Sequence, residues 1–338
     1  MRVLSVAFCG MQVGNGRAGG AEEILSILDR GLVQRGHQSF VVAAPGSRVA
    51  GMLIEAPRSD AKAVIGRAVA EVPFDFIHFH GLDFHHFVPQ CGAAMLATLH
   101  LPVSYYPSSV FDARGARWPN LNCVSESQAA SADVSRSLPV IPNGVPPGQY
   151  AARDRGYLVW LGRICPEKGP HIALDVAHRL GARMIVAGSV HPFPEHQEYF
   201  DCFVKPRLDA KRTYAGPVEG ATKRSLLAGA RCLLVSSLVA ETSSLVAMEA
   251  LSAGTPVVAF RIGALPEIVE DGATGFIVDT ADEMAQAVMR TDCIPRSRCR
   301  EQAVKRFDAH RMIESYLTLY RKIRTRRLGM RCAPQENL

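Results

Sequence analysis

The stretch Cys232-Leu-Leu-Val-Ser-Ser-Leu-Val-Ala-Glu241-Thr-Ser-Ser-Leu-Val-Ala-Met-Glu249-Ala-Leu-Ser-Ala-Gly254-Thr-Pro256-Val-Val-Ala-Phe260 decides the fold. Its opening apolar run reads as a buried strand. Residues 245–253 read as a helix, with Ser243 or Ser244 as N-cap and Gly254 as C-cap. The run from Pro256 to Phe260 reads as the next strand. Strand, helix and strand within roughly 30 residues is the repeating unit of a parallel sheet.

The same alternation runs outward in both directions. Strands are expected at 157–161, 183–187, 212–215, 232–236, 256–260 and 275–278, with helices at 169–180, 221–229, 244–253 and 282–290. Earlier in the chain, strands are expected at 2–8, 38–44, 74–79, 94–99, 120–124 and 138–141. Residues 20–36 form a helix with Ile24, Leu25, Leu28 and Leu32 on one face and Gly36 as its stop. A last amphipathic helix is expected at 309–327. Two β-α runs of this kind argue for two α/β, Rossmann-like domains, each a parallel sheet covered by helices. The turn-rich segment Pro142-Asn-Gly-Val-Pro-Pro-Gly148 marks the boundary. The expected domains are therefore 1–148 and 149–308, with 309–327 crossing back to the first.

Within the opening stretch, Glu241 precedes the helix and Glu249 lies inside it, about 8 Å from the helix start. A helix N-terminus attracts a phosphate or diphosphate through its free N–H groups and its dipole. A carboxylate one to two turns on can accept hydrogen bonds from a ribose, and one before the helix can grip a sugar. That layout suits a nucleotide-sugar. The plain alternative is a solvated Glu241 and a Glu249 bonded to local backbone. Leu161-Gly162-Arg163-Ile-Cys-Pro-Glu-Lys168-Gly169 bears on this choice. It follows the first strand of the second domain and puts two cations at a strand's carboxyl end, where open α/β sheets bind ligands. Arg163 can hold two phosphate oxygens and Lys168 adds a point charge. The two segments together favour a phosphate-bearing ligand over a merely solvated surface loop.

The chain has 338 residues, 48% of them hydrophobic, which is ample for two cored domains. No apolar run reaches the length of a membrane span. Met1-Arg-Val-Leu-Ser-Val-Ala-Phe8 reads as a buried strand rather than a leader. Nine scattered cysteines without a Cys-x-x-Cys pair favour reduced thiols in a cytoplasmic protein over disulfides or a zinc site. The net charge of +6 gathers partly in Arg321, Lys322, Arg324, Arg326, Arg327 and Arg331. A helix C-terminus favours such charges in any case. The sharper reading is contact with an anionic membrane's inner face or with a lipid-linked acceptor. Nucleic-acid binding is not expected, because no stacking aromatics interleave with the charges.

The first domain offers Gly14-Asn-Gly16-Arg-Ala-Gly19-Gly20-Ala-Glu22 after its first strand, a glycine-rich loop opening a helix. No acidic residue ends the second strand and no Walker lysine is present, which counts against a dinucleotide or a P-loop. His78-x-His80 lacks a further ligand set, so no metal is expected there. His100 follows a strand and is expected to reach an interdomain cleft, where a neutral imidazole can bond a sugar hydroxyl. A structural histidine is the alternative. No Asp-x-Asp motif occurs anywhere. A leaving diphosphate would then be neutralised by Arg163, Lys168 and the helix N-termini, with no metal or other cofactor.

These motifs, in this order, resemble the retaining glycosyltransferases of family 4. The resemblance also includes Asp75-Phe-Ile-His78-Phe-His80-Gly81, Thr98-Leu-His100, Val124-Ser-Glu-Ser127, Ile141-Pro-Asn-Gly-Val145, Gly263-Ala-Leu-Pro-Glu267 and Asp271-Gly-Ala-Thr-Gly-Phe276. It implies a GT-B fold, two Rossmann-like domains facing an interdomain cleft. It implies sugar transfer from a nucleotide diphosphate-sugar, with a UDP-sugar as leading candidate, to a carbohydrate or lipid-linked acceptor in glycan, polysaccharide or glycolipid synthesis. A GT-B sugar-nucleotide epimerase is the alternative. Arg163 and Lys168 would hold the diphosphate, Glu249 the ribose and Glu241 the transferred sugar. Ser243, Ser244, Leu245 and Val246 would contact phosphate or sugar. Gly19 and Gly20 would meet the diphosphate from the first domain. His100 would touch the sugar and assist transfer, and the base would lie near Gly216-Pro217-Val218. Two departures stand out. Ser243-Ser244 replaces the family's aromatic-glycine pair, and Gly188-Ser189-Val190 replaces Gly-Asp-Gly.

Overall fold

The computed structural model describes residues 1–14, 19–112, 118–132, 137–148 and 155–332, with side chains described up to residue 327. Of the features read from sequence, Asn15-Gly-Arg-Ala18, the turn beyond Gly148 and the Arg331 side chain lie outside the described residues. The chain divides into two compact units, Met1–Asn143 with Ala309–Leu338, and Gly144–Asp308.

The first unit contains strands β1 (Arg2–Val6), β2 (Gln38–Ala43), β3 (Met52–Glu55), β4 (Phe76–Phe79), β5 (Ala94–Thr98) and β6 (Asn120–Asn122). They form one parallel sheet in the order β3-β2-β1-β4-β5-β6. Its helices include α1 (Gly20–Gln34), α2 (Ala61–Glu71), and the short α3 (Ser109–Asp112) and α4 (Glu126–Ala130). The second unit contains β7 (Tyr157–Leu161), β8 (Arg183–Ala187), β9 (Arg212–Tyr214), β10 (Cys232–Val235), β11 (Val257–Phe260) and β12 (Gly275–Val278). Here the parallel order is β12-β11-β10-β7-β8-β9. Helices α5 (Pro170–Arg179), α6 (Pro194–Tyr199), α7 (Gly220–Gly229), α8 (Leu245–Ser252), α9 (Leu265–Ile268), α10 (Ala281–Arg290) and α11 (Arg296–Phe307) accompany it. Helix α12 (Ala309–Cys332) returns to the first unit. Strands β4 and β10 are buried at every position, as unbroken apolar runs in parallel sheets should be.

Several expectations are corrected. Residues 138–141 make only an isolated bridge, Val140 to Cys123. Pro139 inside the segment and Pro142 just after it offer no amide donor to a ladder. Strand β3, Met-Leu-Ile-Glu, is a half-exposed edge strand of only four residues, too short for a periodic pattern to single out. Helix α11, Arg296-Ser-Arg-Cys-Arg-Glu, is so polar that it carries little apolar stripe. Helix α8 is capped by Ala253, and Gly254, at φ +80°, is the left-handed residue one step beyond.

A buried polar chain ties α12 to the first sheet. Tyr320 stacks on Phe76 at 4.1 Å and its hydroxyl lies 2.6 Å from His78 Nδ1. His78 Nε2 lies 2.7 Å from Thr98 Oγ1, and the Thr98 hydroxyl donates to Asn122 Oδ1 at 2.7 Å. Thr98 has one proton and gives it to Asn122. His78 must therefore carry its proton on Nε2 and accept from Tyr320 at Nδ1. Burial keeps the imidazole neutral, and in that form every step of the chain is satisfied.

Burial pushes His78 and His80 well below their ordinary value, and lowers His100 to about 4. These rings take up protons more readily when unfolded. Their contribution to stability is fully present above the unfolded value near 6.5, and is lost as pH falls through the lowered folded values. The melting temperature is expected to drop steeply between pH 6.5 and about 4, and replacing His100 by Gln should flatten part of that slope. An acid limb identical in wild type and variant would contradict this assignment.

Candidate active site

In the second sheet the strand order reverses between β7 and β10, the switch point beyond whose carboxyl ends open α/β sheets bind ligands. The loop after β7 carries Gly162 to Gly169, and the loop after β10 carries Ser236 to Ser244. Trp160 of β7 donates from Nε1 to Ser236 Oγ at 3.2 Å, and Ser236 donates on to the Gly169 carbonyl at 2.7 Å. The Leu238 amide donates to the Glu167 carbonyl at 2.8 Å. Gly169 sits at φ +59°, and a Cβ there would lie 2.4 Å from the Ser236 carbonyl oxygen. Only glycine allows that approach, and it pins the residues before it to the end of β10.

The consequence is a close ion pair. Lys168 Nζ lies 2.6 Å from Glu241 Oε1, with the two side chains 27% and 10% exposed. The Ser237 hydroxyl donates to the same oxygen. Behind Glu241, the Ala264 amide donates to its carbonyl at 2.7 Å, and Gly263 at φ +54° lets the two backbones meet. Glu241 is thus held by its side chain and its backbone, and its loop is not a loose surface turn.

The second carboxylate is also paired. Glu249 Oε1 lies 2.6 Å from Lys223 Nζ of α7. Between the two pairs stands the N-terminus of α8. Ser244 occupies the N-cap without a side-chain capping bond, and the first turn closes at the Met248 amide to the Ser244 carbonyl, 3.1 Å. The amides of Leu245, Val246 and Ala247 thus precede the first amide that donates within the helix. The Ser243 hydroxyl is buried with no partner. Two orphaned kinds of donor therefore converge on one spot, flanked by two lysines. An anion with several oxygens would satisfy them.

The other expected residues are placed as follows. Arg163 is exposed on the loop after β7. The Gly188 amide donates to the Gly216 carbonyl at 2.8 Å, so the loop after β9, with Val218, lies beside the loop after β8. The Ile164 amide donates to the Ser189 carbonyl at 2.9 Å, so the Gly188-Ser189-Val190 departure packs back onto the Arg163 loop. In the first unit, Gly19 caps α1 and Gly20 opens it. A Cβ on Gly19 would lie 2.8 Å from Glu22 Oε2, a buried carboxylate whose pKa burial raises. His100 Nε2 lies 3.1 Å from His80 Nδ1, and the His100 amide donates to the Tyr106 hydroxyl oxygen at 3.1 Å. Its imidazole is thus engaged by a second histidine.

Sequence reading missed Lys223, Ser237 and the Trp160–Ser236 link. Lys223 and Glu249 are 26 positions apart on different helices, and no local periodicity relates them. Ser236 and Ser237 stood in view, as the first polar residues after the apolar run of β10.

Residues 155–291 match the family model described as Glycosyl transferases group 1. A D-inositol 3-phosphate glycosyltransferase of Mycobacterium bovis is 33% identical over 183 residues, 50% of this chain and 38% of that relative. The matched stretch therefore spans well under half the length of that relative. AviGT4, a glycosyltransferase involved in avilamycin A biosynthesis, superposes with a TM-score of 0.74 at 24% identity, covering 96% of this chain and 98% of that one. HepE of Anabaena, solved with UDP-glucose, gives 0.73 at 18% identity, covering 95% and 100%. The fold is that of the GT-B glycosyltransferases, two Rossmann-like units in one chain.

Proposed function

We propose that the chain, whose residues 155–291 match the model described as Glycosyl transferases group 1, transfers a sugar with retention from a nucleotide diphosphate-sugar, foremost a UDP-sugar. The observation that carries this reading is the Lys168–Glu241 pair at 2.6 Å beside the uncapped start of α8. The diphosphate lies against the amides of Leu245 and Val246, with Ser243 and Ser244 supplying hydroxyls where the related enzymes have an aromatic-glycine pair. Lys168 and Arg163 balance its charge. Glu249, oriented by Lys223, accepts from the ribose. Glu241, oriented by Ser237 and Lys168, accepts from hydroxyls of the transferred sugar. The base lies near Gly216 and Val218. Gly19, Gly20 and His100 keep the roles that the resemblance implies for them.

In the transfer step the bond from the sugar's anomeric carbon to the diphosphate oxygen breaks, and the diphosphate leaves with the electron pair. The acceptor hydroxyl attacks from the same face, and its proton passes to the departing phosphate oxygen. What the protein supplies is positive potential where negative charge develops. Two cations and a helix N-terminus supply it without a divalent ion, and no metal enters the reaction. The acceptor is a carbohydrate or a lipid-linked sugar, and the basic face of α12 with Arg321, Lys322 and Arg326 suits an anionic membrane surface. Among the described residues no helix is long and apolar enough to cross a membrane.

The test is a melting-temperature screen against UDP-, GDP-, ADP- and dTDP-sugars in excess EDTA. A ligand at 100 times its Kd that binds only the folded state adds about 2.7 kcal/mol. The UDP-sugar is expected to raise the melting temperature most, and Lys168→Ala should abolish the rise. Stabilisation that appears only with added Mn²⁺ would contradict the metal-free reading. With donor alone, recovery of an epimerised nucleotide-sugar would favour the epimerase, a reading that the glycosyltransferase relatives named above do not support.

A further inference from the structure

The loop that carries Lys168 holds a second constellation that the transfer chemistry does not use. Cys165 Sγ, a carboxylate oxygen of Glu167 and a ring nitrogen of His196 all lie within 4.8 Å of one another. Cys165 and Glu167 flank Pro166 at the start of the turn. His196 arrives from the first turn of α6, 29 positions later, so no sequence motif announces the set. Cys165 is fully buried, Glu167 is exposed and His196 is half-buried.

Two further observations bear on the cluster. His196 Nδ1 is buried and has no hydrogen-bond partner, a costly condition for an imidazole nitrogen unless something fills it. The ring is also held in place, with Phe193 edge-on at 5.2 Å and His191 at 6.1 Å. Around a tetrahedral zinc ion, ligands at about 2.0–2.3 Å lie roughly 3.3–3.8 Å apart. Here the three atoms lie within 4.8 Å of one another. Glu167 is exposed and His196 half-buried, so their side chains can adjust to an ion, while buried Cys165 forms the fixed corner. Thiolate, imidazole and carboxylate together suit a borderline cation of the zinc class and not a hard cation such as Mg²⁺. Arg163 faces Cys165 and Glu167 and opposes a cation, but it is an exposed side chain on the same loop.

We propose that Cys165, Glu167 and His196 form a three-ligand site for a transition-metal cation of the zinc class, with a fourth position open. Binding exchanges the thiol proton for the metal, with the proton released to solvent, and no redox change occurs. The site is separate from the Lys168–Glu241 and Lys223–Glu249 pairs. An ion there would clamp the Cys165–Lys168 turn to α6 and take no part in transfer.

The probe is Co²⁺ added to the full chain under chelator-free, reducing conditions, a readout that needs no nucleotide-sugar. One equivalent is expected to give thiolate-to-cobalt charge-transfer absorption with tetrahedral d–d bands, displaced by one equivalent of Zn²⁺. Cys165→Ser should remove the charge-transfer band. His196→Ala, at a half-buried position that does not threaten the core, should weaken binding at least about tenfold. Replacing the exposed Cys202 and Cys293 by Ser should change nothing. The proposal is overturned if no band forms, if the band survives Cys165→Ser, if His196→Ala binds as tightly as wild type, or if the band disappears with Cys202 and Cys293.

Discussion

Replacing Lys168 by Ala is expected to lower kcat for the proposed sugar transfer by about 10²–10³-fold and to leave the second unit folded. The size follows from the site's construction. Lys168 reaches Glu241 from a turn whose backbone is fixed by Ser236 and Gly169, so its charge stands in place before any ligand arrives. A preorganised cation costs no rearrangement when charge develops on a leaving diphosphate. The fold survives because the Lys168 side chain is 27% exposed and Glu241 retains Ser237 as partner. Glu241→Gln keeps the shape but replaces one accepting oxygen by a donor. It should fail comparably, through loss of the sugar hydroxyl bonds and mispairing with Ser237 and Lys168. Lys223→Ala acts differently, since it loosens Glu249 and should raise the donor KM more than it lowers kcat. The measurements are steady-state transfer assays with thermal melts as folding controls. Full activity in both Lys168→Ala and Glu241→Gln would sink the assignment of this site.

The second large effect is on stability. Tyr320→Ala is expected to cost about 3–5 kcal/mol, in the range of other large aromatic truncations in cores. Tyr320 is fully buried, stacks on Phe76 and donates to His78. Tyr320→Phe separates the two contributions. It keeps the ring and leaves His78 Nδ1 without a donor, at about 1–3 kcal/mol. Urea denaturation midpoints at constant m-value give both numbers. A Phe variant as stable as wild type would show that the buried polar chain through His78, Thr98 and Asn122 contributes nothing net.

The sheets were the most legible part of the sequence. Strands β7, β8 and β12 appear where their apolar runs stand, because a strand covered on both faces must be apolar throughout. Legibility fell where burial was partial. Edge strand β3 and the polar α11 are shaped by neighbours that no local pattern names. The site divides in the same way. Glu241, Glu249 and Lys168 could be singled out because each sits at a strand end or helix start, which period and turn residues reveal. Lys223 could not, because its partner is a matter of how α7 and α8 pack. The Cys165–Glu167–His196 cluster escaped for the same reason. His78 was legible as a strand residue, while its proton assignment needed Tyr320, 242 positions away.

The return of α12 to the first unit sets an order of events during synthesis. The second unit is one uninterrupted segment, Gly144–Asp308, and is complete once its last residue leaves the ribosome. The first unit begins earlier and finishes later. Until Tyr316 and Tyr320 emerge, His78 has no hydroxyl at Nδ1 and the face of the sheet they cover is bare. The half of the molecule translated first is therefore the last to be sealed, and the interval is the time taken to translate the second unit and the start of α12.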